Sequence, residues 1–83
     1  MKQYVFVWDF MGAPITANLT LDTIAWLVGS RGIRNVHVWE FEQASFPVER
    51  RLLINPAVHC VALQNRESGE IIDCSTYPVA ACS

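Results

Sequence analysis

The chain has 83 residues, of which 52% are hydrophobic and 17% charged, and its formal net charge is −2. A chain this short and this apolar provides one hydrophobic core, so we expect a single domain over residues 1–83 rather than a disordered chain. Its scattered charges exclude the basic stripe that nucleic acid requires, and no apolar run is long enough to span a membrane. Because the chain starts in a strand pattern rather than a signal peptide, we expect a cytoplasmic protein.

The first segment alternates between two sets of apolar side chains, as a strand with two apolar faces does. The two faces carry the following residues: Tyr4, Phe6, Trp8 and Phe10 on one, and Val5, Val7 and Asp9 on the other. The Met-Gly-Ala-Pro sequence at 11–14 ends this strand. Residues 15–19 are then either a return strand that completes a hairpin or the approach to a helix, and the pattern leaves both open.

A helix is predicted over residues 21–30, where apolar side chains recur at helical spacing. Thr20 precedes this segment as its N-cap, and Asp22 places a negative charge in the first turn. Arg31 lies near the end of the helix, where a cation is favourable, and Gly32 can adopt the left-handed conformation that stops it.

Residues 35–42 alternate in the same way as the first strand. The two faces of this segment carry the following residues: His37, Trp39 and Phe41 on one, and Val36, Val38 and Glu40 on the other. We therefore expect the two strands to be neighbours in one sheet, with their aromatic rows on the same face.

A short helical segment is predicted at about 47–54, between the two halves of the chain. Pro47 stands near its start, apolar residues follow at helical spacing, and Asn55-Pro56 is a stop signal. This segment would connect the second predicted strand to the rest of the sheet.

Two strand-like runs, 57–64 and 70–77, flank a polar loop that ends in glycine, and together they predict a β-hairpin. In the register we expect for it, Cys60 faces Cys74. The remaining tail, 78–83, is expected to fray unless a partner holds it.

These elements predict a two-layer α+β fold, with a four- or five-stranded mixed or antiparallel sheet and one main helix across it. The fifth strand depends on whether 15–19 forms a return strand. If it does, the order of elements resembles the β-grasp fold, and Ile15-Thr16 and Asp22-Thr23-Ile24 have ubiquitin-like spacing. The resemblance implies a fold and no conjugation activity, since the chain ends in Ala-Ala-Cys-Ser rather than Gly-Gly.

One helix of about ten residues can cover only one side of such a sheet, so an apolar strip is left on the other side. Either the aromatic rows are the core, with Asp9 and Glu40 on the solvent face and the valines as the strip, or the valines pack on the helix and the aromatic rows are exposed. Exposed aromatic rows have the composition of a binding surface. Both interpretations predict a protein partner.

The binding patch that we predict combines aromatic residues from the two strands with charged residues around them. It consists of Trp8, Phe10, Trp39 and Phe41, rimmed by Asp9, Glu40, Glu42, Arg34 and Arg50.

Catalytic and metal-binding patterns are not found in the sequence. Cys60, Cys74 and Cys82 have no CxxC spacing and no histidine at ligand spacing, so they are expected to be reduced thiols. Cys60 and Cys74 are also expected to be buried. His59 would point to the opposite strand face from Cys60 and so could not activate that thiol. We therefore expect no catalytic residue, no metal, no cofactor and no enzymatic activity.

The functional hypothesis is a small interaction protein that binds and occludes a larger host protein, of the kind that phages and mobile elements encode as inhibitors. It depends on the brevity of the chain, its leftover apolar strip and the missing enzymatic motifs. The alternatives are a homo-oligomeric structural or assembly subunit, which would form a homodimer through sheet faces or an edge strand, and a small cysteine-dependent redox protein.

Overall fold

The computed structural model describes residues 2–41 and 46–77, which contain one helix and one sheet. The elements follow in this order: β1 (Gln3–Phe10), β2 (Ala13–Thr20), α1 (Leu21–Arg31), β3 (His37–Glu40), β4 (Val48–Asn55), β5 (Cys60–Asn65) and β6 (Ile71–Thr76). The sheet has the order β2-β1-β3-β4-β5-β6, and each of its pairings is antiparallel. The α+β prediction with one main helix is confirmed.

The first hairpin settles the alternative that the sequence left open at 15–19. Met11 and Gly12 have φ values of 53° and 81°, which is the signature of a two-residue type I′ turn. Phe10 is therefore directly opposite Ala13, and the ladder runs without a break to the far end of both strands. Residues 15–19 form a return strand.

Helix α1 has the ends that its sequence predicts, one residue longer at its C-terminus. The Thr20 hydroxyl accepts a hydrogen bond from the Thr23 backbone N–H at 3.4 Å. Gly32 adopts the left-handed conformation with φ of 64°, and its N–H bonds to the Val28 carbonyl at 3.1 Å. The capping residues thus define this helix locally, before any tertiary contact is considered.

The prediction of a helical segment at 47–54 is wrong, because this stretch forms strand β4. β4 pairs with β3 on one side and β5 on the other, so two ladders of backbone hydrogen bonds stabilise it. The pairing with β3 and β5 stabilises a strand more than the helical spacing of a few apolar residues stabilises a helix. The sheet consequently has six strands rather than four or five, and the mixed and β-grasp orders do not describe it.

The last hairpin is confirmed, but its predicted register is wrong by two residues. Asn65 closes the turn, since its N–H bonds to the Glu70 carbonyl at 2.8 Å, and a bulge near Leu63 then shifts the ladder further. Cys74 lies opposite Ala62, so the two cysteines of this hairpin do not face each other. The tail at 78–83 lies outside the described residues.

The sheet coils strongly around the helix. A flat sheet would hold β1 and β6 about 19 Å apart, because four spacings of about 4.8 Å separate them. Nevertheless the Tyr4 hydroxyl donates a hydrogen bond to Asp73 at 3.0 Å, and the Ser75 hydroxyl on β6 bonds to Asp22 on α1. The core lies inside this curve and contains the following buried apolar residues: Tyr4, Phe6, Trp8, Leu21, Ile24, Ala25, Val28, Ile33, Val38, Val61 and Leu63.

Candidate functional site

The pairing of β1 with β3 decides which aromatic residues can form a common surface. Val5 lies opposite Trp39, and Phe6 lies opposite Val38. Directly opposed residues share a face of the sheet, so Trp39 is on the side away from α1 while Phe6 points toward the helix. The prediction that the two aromatic rows share one face is therefore wrong, because a one-residue difference in register turns every side chain to the other side.

The predicted binding patch consequently divides between the two faces. Trp8 is only 6% exposed and belongs to the core, and Phe10 packs against that core. Phe41 follows β3 and is exposed. Among the predicted rim residues, Asp9 and Arg34 are exposed, as a rim requires.

The two remaining described rim residues, Glu40 and Arg50, are not on the surface. Glu40 is 2% exposed and lies on the helix side of the sheet, so its prediction as a solvent-face residue is wrong. Its carboxylate is 2.6 Å from the Lys2 amine and 3.3 Å from Arg50 Nε. Glu42, the last predicted rim residue, lies outside the described residues.

The buried Glu40 carboxylate stays ionised because it forms ion pairs with two cations, Lys2 and Arg50. Burial by itself would raise the pKa of Glu40, but the hydrogen bonds and charges of Lys2 and Arg50 outweigh that effect and keep the pKa below its ordinary value of 4.5. This cluster is structural, since it ties the start of the chain to β3 and β4. The sequence offered a signal for it: Glu40 lies two residues after Val38 and therefore on the same face of β3, and Val38 is fully buried.

The side of the sheet away from α1, which we call the open face, has an apolar centre. Val5, Val7 and Trp39 form this centre, half-buried by one another and by neighbouring strands. The His37 ring, opposite Val7, stacks against Trp39 with centroids 6.0 Å apart and planes at 29°. Within residues 2–41 and 46–77, no helix covers this face.

A basic depression adjoins that apolar centre. It has a volume of about 370 Å³ and is lined by Val36, His37, Glu49, Arg50, Arg51, Leu52 and Arg66. Two of the six lysine and arginine side chains of the chain, Arg51 and Arg66, therefore meet here, although the chain as a whole is acidic; the Arg50 guanidinium is on the helix side with Glu40. Glu49 is partly neutralised by Arg66 at 2.9 Å, whereas Arg51 is exposed and has no carboxylate within 4.0 Å in the described part of the chain.

Sequence reasoning missed most of this depression, because its residues come from two strands and a turn. Arg50 and Arg51 are adjacent in the sequence, yet the two point to opposite faces of β4. Arg66 belongs to the last hairpin turn and reaches the site only through the β4–β5 register. No spacing along the chain brings these groups together.

A second concavity lies where the end of α1 meets the first hairpin. It has a volume of about 260 Å³ and is lined by Trp8, Phe10, Ile15, Leu27, Arg31 and Ile33. Two of the predicted patch residues, Trp8 and Phe10, therefore line an apolar groove beside the helix rather than an exposed sheet surface.

The thiols and histidines of the described residues do not assemble a reactive site. Cys60 is half-buried and Cys74 exposed, so the burial predicted for both holds only in part. His59 sits in the turn before β5 with φ of 52°, and its ring contacts Tyr77 edge to face at 5.6 Å. No group of three or more histidine, cysteine, aspartate or glutamate residues is placed to hold a metal ion in the ranges 2–41 and 46–77.

Within the same ranges, no helix has the length and apolar character to cross a membrane. In comparisons with known proteins, no family model, no curated protein and no solved structure matches this chain.

Proposed function

We propose that this chain is a small non-enzymatic interaction protein that binds a larger protein through its open face. The observation that carries the proposal is the uncovered centre formed by Val5, Val7 and Trp39 on the side of the sheet away from α1. Apolar area removed from water contributes about 25 cal/mol per Å². Tryptophan is also among the residues that dominate binding energy at the centre of interfaces.

The basic depression indicates the chemistry of the partner. Protein interfaces commonly have an apolar centre and a polar rim, and here the rim on the β4 side is formed by His37, Arg51 and Arg66. Charge complementarity then favours a partner that presents an apolar side chain with carboxylates close to it. Arg51, which pairs with no carboxylate among the described residues, offers a guanidinium fork for such a carboxylate.

Binding of this kind would act by occlusion. The part of the partner's surface that contacts Trp39 could no longer bind other molecules. Such inhibition requires no reactive group on the chain. The inhibitor role, the cytoplasmic setting and an origin in a phage or mobile element belong to the same proposal.

The test compares two tryptophans that lie outside the buried core. Trp39→Ala removes the centre of the open face, and Trp26→Ala removes a side chain of the same type that is 51% exposed on α1. Each variant and the wild type would be coupled to beads through the same tag and incubated with host cytosol. The proteins retained at moderate salt would then be quantified and the purified partner's Kd measured.

We expect a stoichiometric partner that Trp39→Ala binds at least about tenfold more weakly and Trp26→Ala binds normally. Arg51→Glu should weaken the same complex, most strongly at low salt, because it reverses a charge on the rim. A partner that is lost with Trp26→Ala and retained with Trp39→Ala would overturn the assignment of the open face.

A further inference from the structure

In the part of the chain that the structure describes, strand β2 forms one edge of the sheet and pairs only with β1. The type I′ turn makes Phe10 and Ala13 a hydrogen-bonded pair, and hydrogen-bonded and non-bonded pairs alternate along an antiparallel ladder. The next pair, which contains Pro14, is therefore non-bonded, and so are the pairs that contain Thr16 and Asn18, two and four residues further along β2. The backbone N–H and carbonyl groups of Thr16 and Asn18 consequently point away from β1. Pro14 is in the same outward set and lacks an N–H, as expected of a proline in an edge strand.

This edge has few of the features that protect natural sheets from pairing with another chain. Edges are usually short, bulged, covered or charged. β2 is eight residues long, its ladder with β1 is continuous, and its sequence Ala-Pro-Ile-Thr-Ala-Asn-Leu-Thr contains no charged residue. Among the described residues, no side chain or loop bonds to the backbone groups of Thr16 or Asn18, and both side chains are exposed.

The opposite edge, β6, is protected. The Tyr77 N–H bonds to the His59 carbonyl at 2.9 Å, so Cys74 and Thr76 are the residues whose backbone groups point outward. The Cys74 N–H is bonded at 2.9 Å to the side chain of Asp73, and the Thr76 carbonyl accepts a hydrogen bond from Ser75 at 3.5 Å. The contrast singles out β2 as the edge that is open to a further strand.

We propose that β2 pairs with β2 of a second copy of this chain, antiparallel around a two-fold axis at Ala17. In this register Thr16 faces Asn18 of the second copy, and the N–H and carbonyl groups of both residues are satisfied in both copies. The only outward position without a donor, Pro14, falls at the end of the shared segment.

The side chains of β2 fit the same axis. Ile15 would face Leu19 of the second copy and Ala17 would face itself, all on the helix side, while the polar pair of Thr16 and Asn18 lies on the open face. A two-fold axis brings each residue near its own copy or its close neighbours, so any charge in β2 would meet a like charge. An uncharged strand that opposes apolar to apolar and polar to polar favours a second copy over an unrelated peptide.

The dimer would be one twelve-stranded sheet in which both open faces lie on the same side. It stands independently of the proposed function, because β2 contributes no residue to the centre of the open face. Two open faces side by side would let the dimer engage a symmetric or repeated partner with increased avidity.

The first experiment measures mass against concentration by sedimentation equilibrium or light scattering, starting from the 9.4 kDa single chain. We expect the wild type to approach twice that mass and Asn18→Pro to remain a single chain, because the proline removes an outward N–H and leaves the bonds to β1 intact. Asn18→Thr, which keeps the N–H, should still dimerise.

Amide hydrogen exchange supplies a readout that needs no variant. The amides of Thr16 and Asn18 should become protected as the concentration of wild-type protein rises, whereas those of Ile15 and Ala17 should be protected throughout. A mass that stays at one chain up to about 1 mM would overturn the proposal. So would a dimer that leaves the Thr16 and Asn18 amides unprotected, since that dimer would use another surface. Neither result would depend on binding by Trp39.

Discussion

The Tyr4 hydroxyl donates a hydrogen bond to the Asp73 carboxylate at 3.0 Å, joining the first strand to the last across 69 positions of the chain. Burial, then the hydrogen bond to Asp73 and the charge of its carboxylate, raise the pKa of Tyr4. The hydroxyl therefore stays protonated and remains a donor throughout the ordinary pH range. Since three strands lie between β1 and β6, this bond exists only in the coiled sheet, and it holds the curve that encloses the core.

Tyr4→Phe should lower the free energy of unfolding by about 1–2 kcal/mol, because the half-buried Asp73 carboxylate loses a donor. Urea unfolding at neutral pH measures the change. Tyr77→Phe is the matched control, as the Tyr77 hydroxyl makes no hydrogen bond to the described residues, and it should cost less than about 0.5 kcal/mol. Equal stability of Tyr4→Phe and the wild type would show that the bond does not hold the sheet closed.

Acid should destabilise the protein through Glu40. Its pKa in the folded chain is below the ordinary 4.5, so the unfolded chain binds the proton more tightly and the stabilisation is present above that value. It is lost as the pH falls through the folded pKa. We expect the free energy of unfolding to decline from roughly pH 5 to pH 3, and less steeply in Glu40→Gln.

The same Glu40→Gln variant should be less stable by about 3 kcal/mol at neutral pH, because Arg50 keeps a nearly buried charge without its carboxylate. Glu67→Gln provides the control, since Glu67 is exposed in the last hairpin turn. Identical acid profiles for all three proteins would contradict the role of the buried cluster.

The β1–β3 register predicts different outcomes for two tryptophans. Trp8→Ala should destabilise the fold by about 4 kcal/mol, as expected for a large side chain removed from the core. Trp39→Ala should cost only about 1 kcal/mol, because Trp39 lies half-buried on the open face. Chemical unfolding of both variants ranks them, and the reverse ranking would place Trp39 in the core.

Gly29 leaves room for an aromatic ring. A Cβ atom at this position would lie 2.5 Å from Cδ2 of Tyr77, so the ring would have to move. Alanine in a helix ordinarily stabilises a protein by about 1 kcal/mol relative to glycine. Here we expect Gly29→Ala to lower the free energy of unfolding by about 1 kcal/mol instead. In a Tyr77→Ala background the ordinary preference for alanine should return, and thermal unfolding of the four proteins would measure both effects.

Prediction from the sequence succeeded where the signals are local. Helix α1 was placed by its caps, since Thr20 and Gly32 act on residues within one turn of themselves. It also succeeded for the first strand and for the last hairpin, whose period and turn residues are contained in short segments. Trp39 was predicted as part of a binding patch that the fold does not build, and the structure places it on the open face.

The errors share one physical cause. The segment 47–54 is a strand because β3 and β5 lie beside it, and Trp39 is separated from Trp8 because β3 pairs with β1 in a particular register. Strand partners and registers are set by contacts between distant segments, and a shift of one residue reverses every side chain.

The sequence by itself thus determined the α+β class, the limits of the helix and the presence of an apolar strip beyond what one helix can cover. Only the tertiary structure decided which face carries that strip, that Glu40 is buried with Lys2 and Arg50, and that β2 is left as an open edge. Caps, turns and periodicity act over a few residues, whereas register, coiling and edges exist only once all six strands have paired.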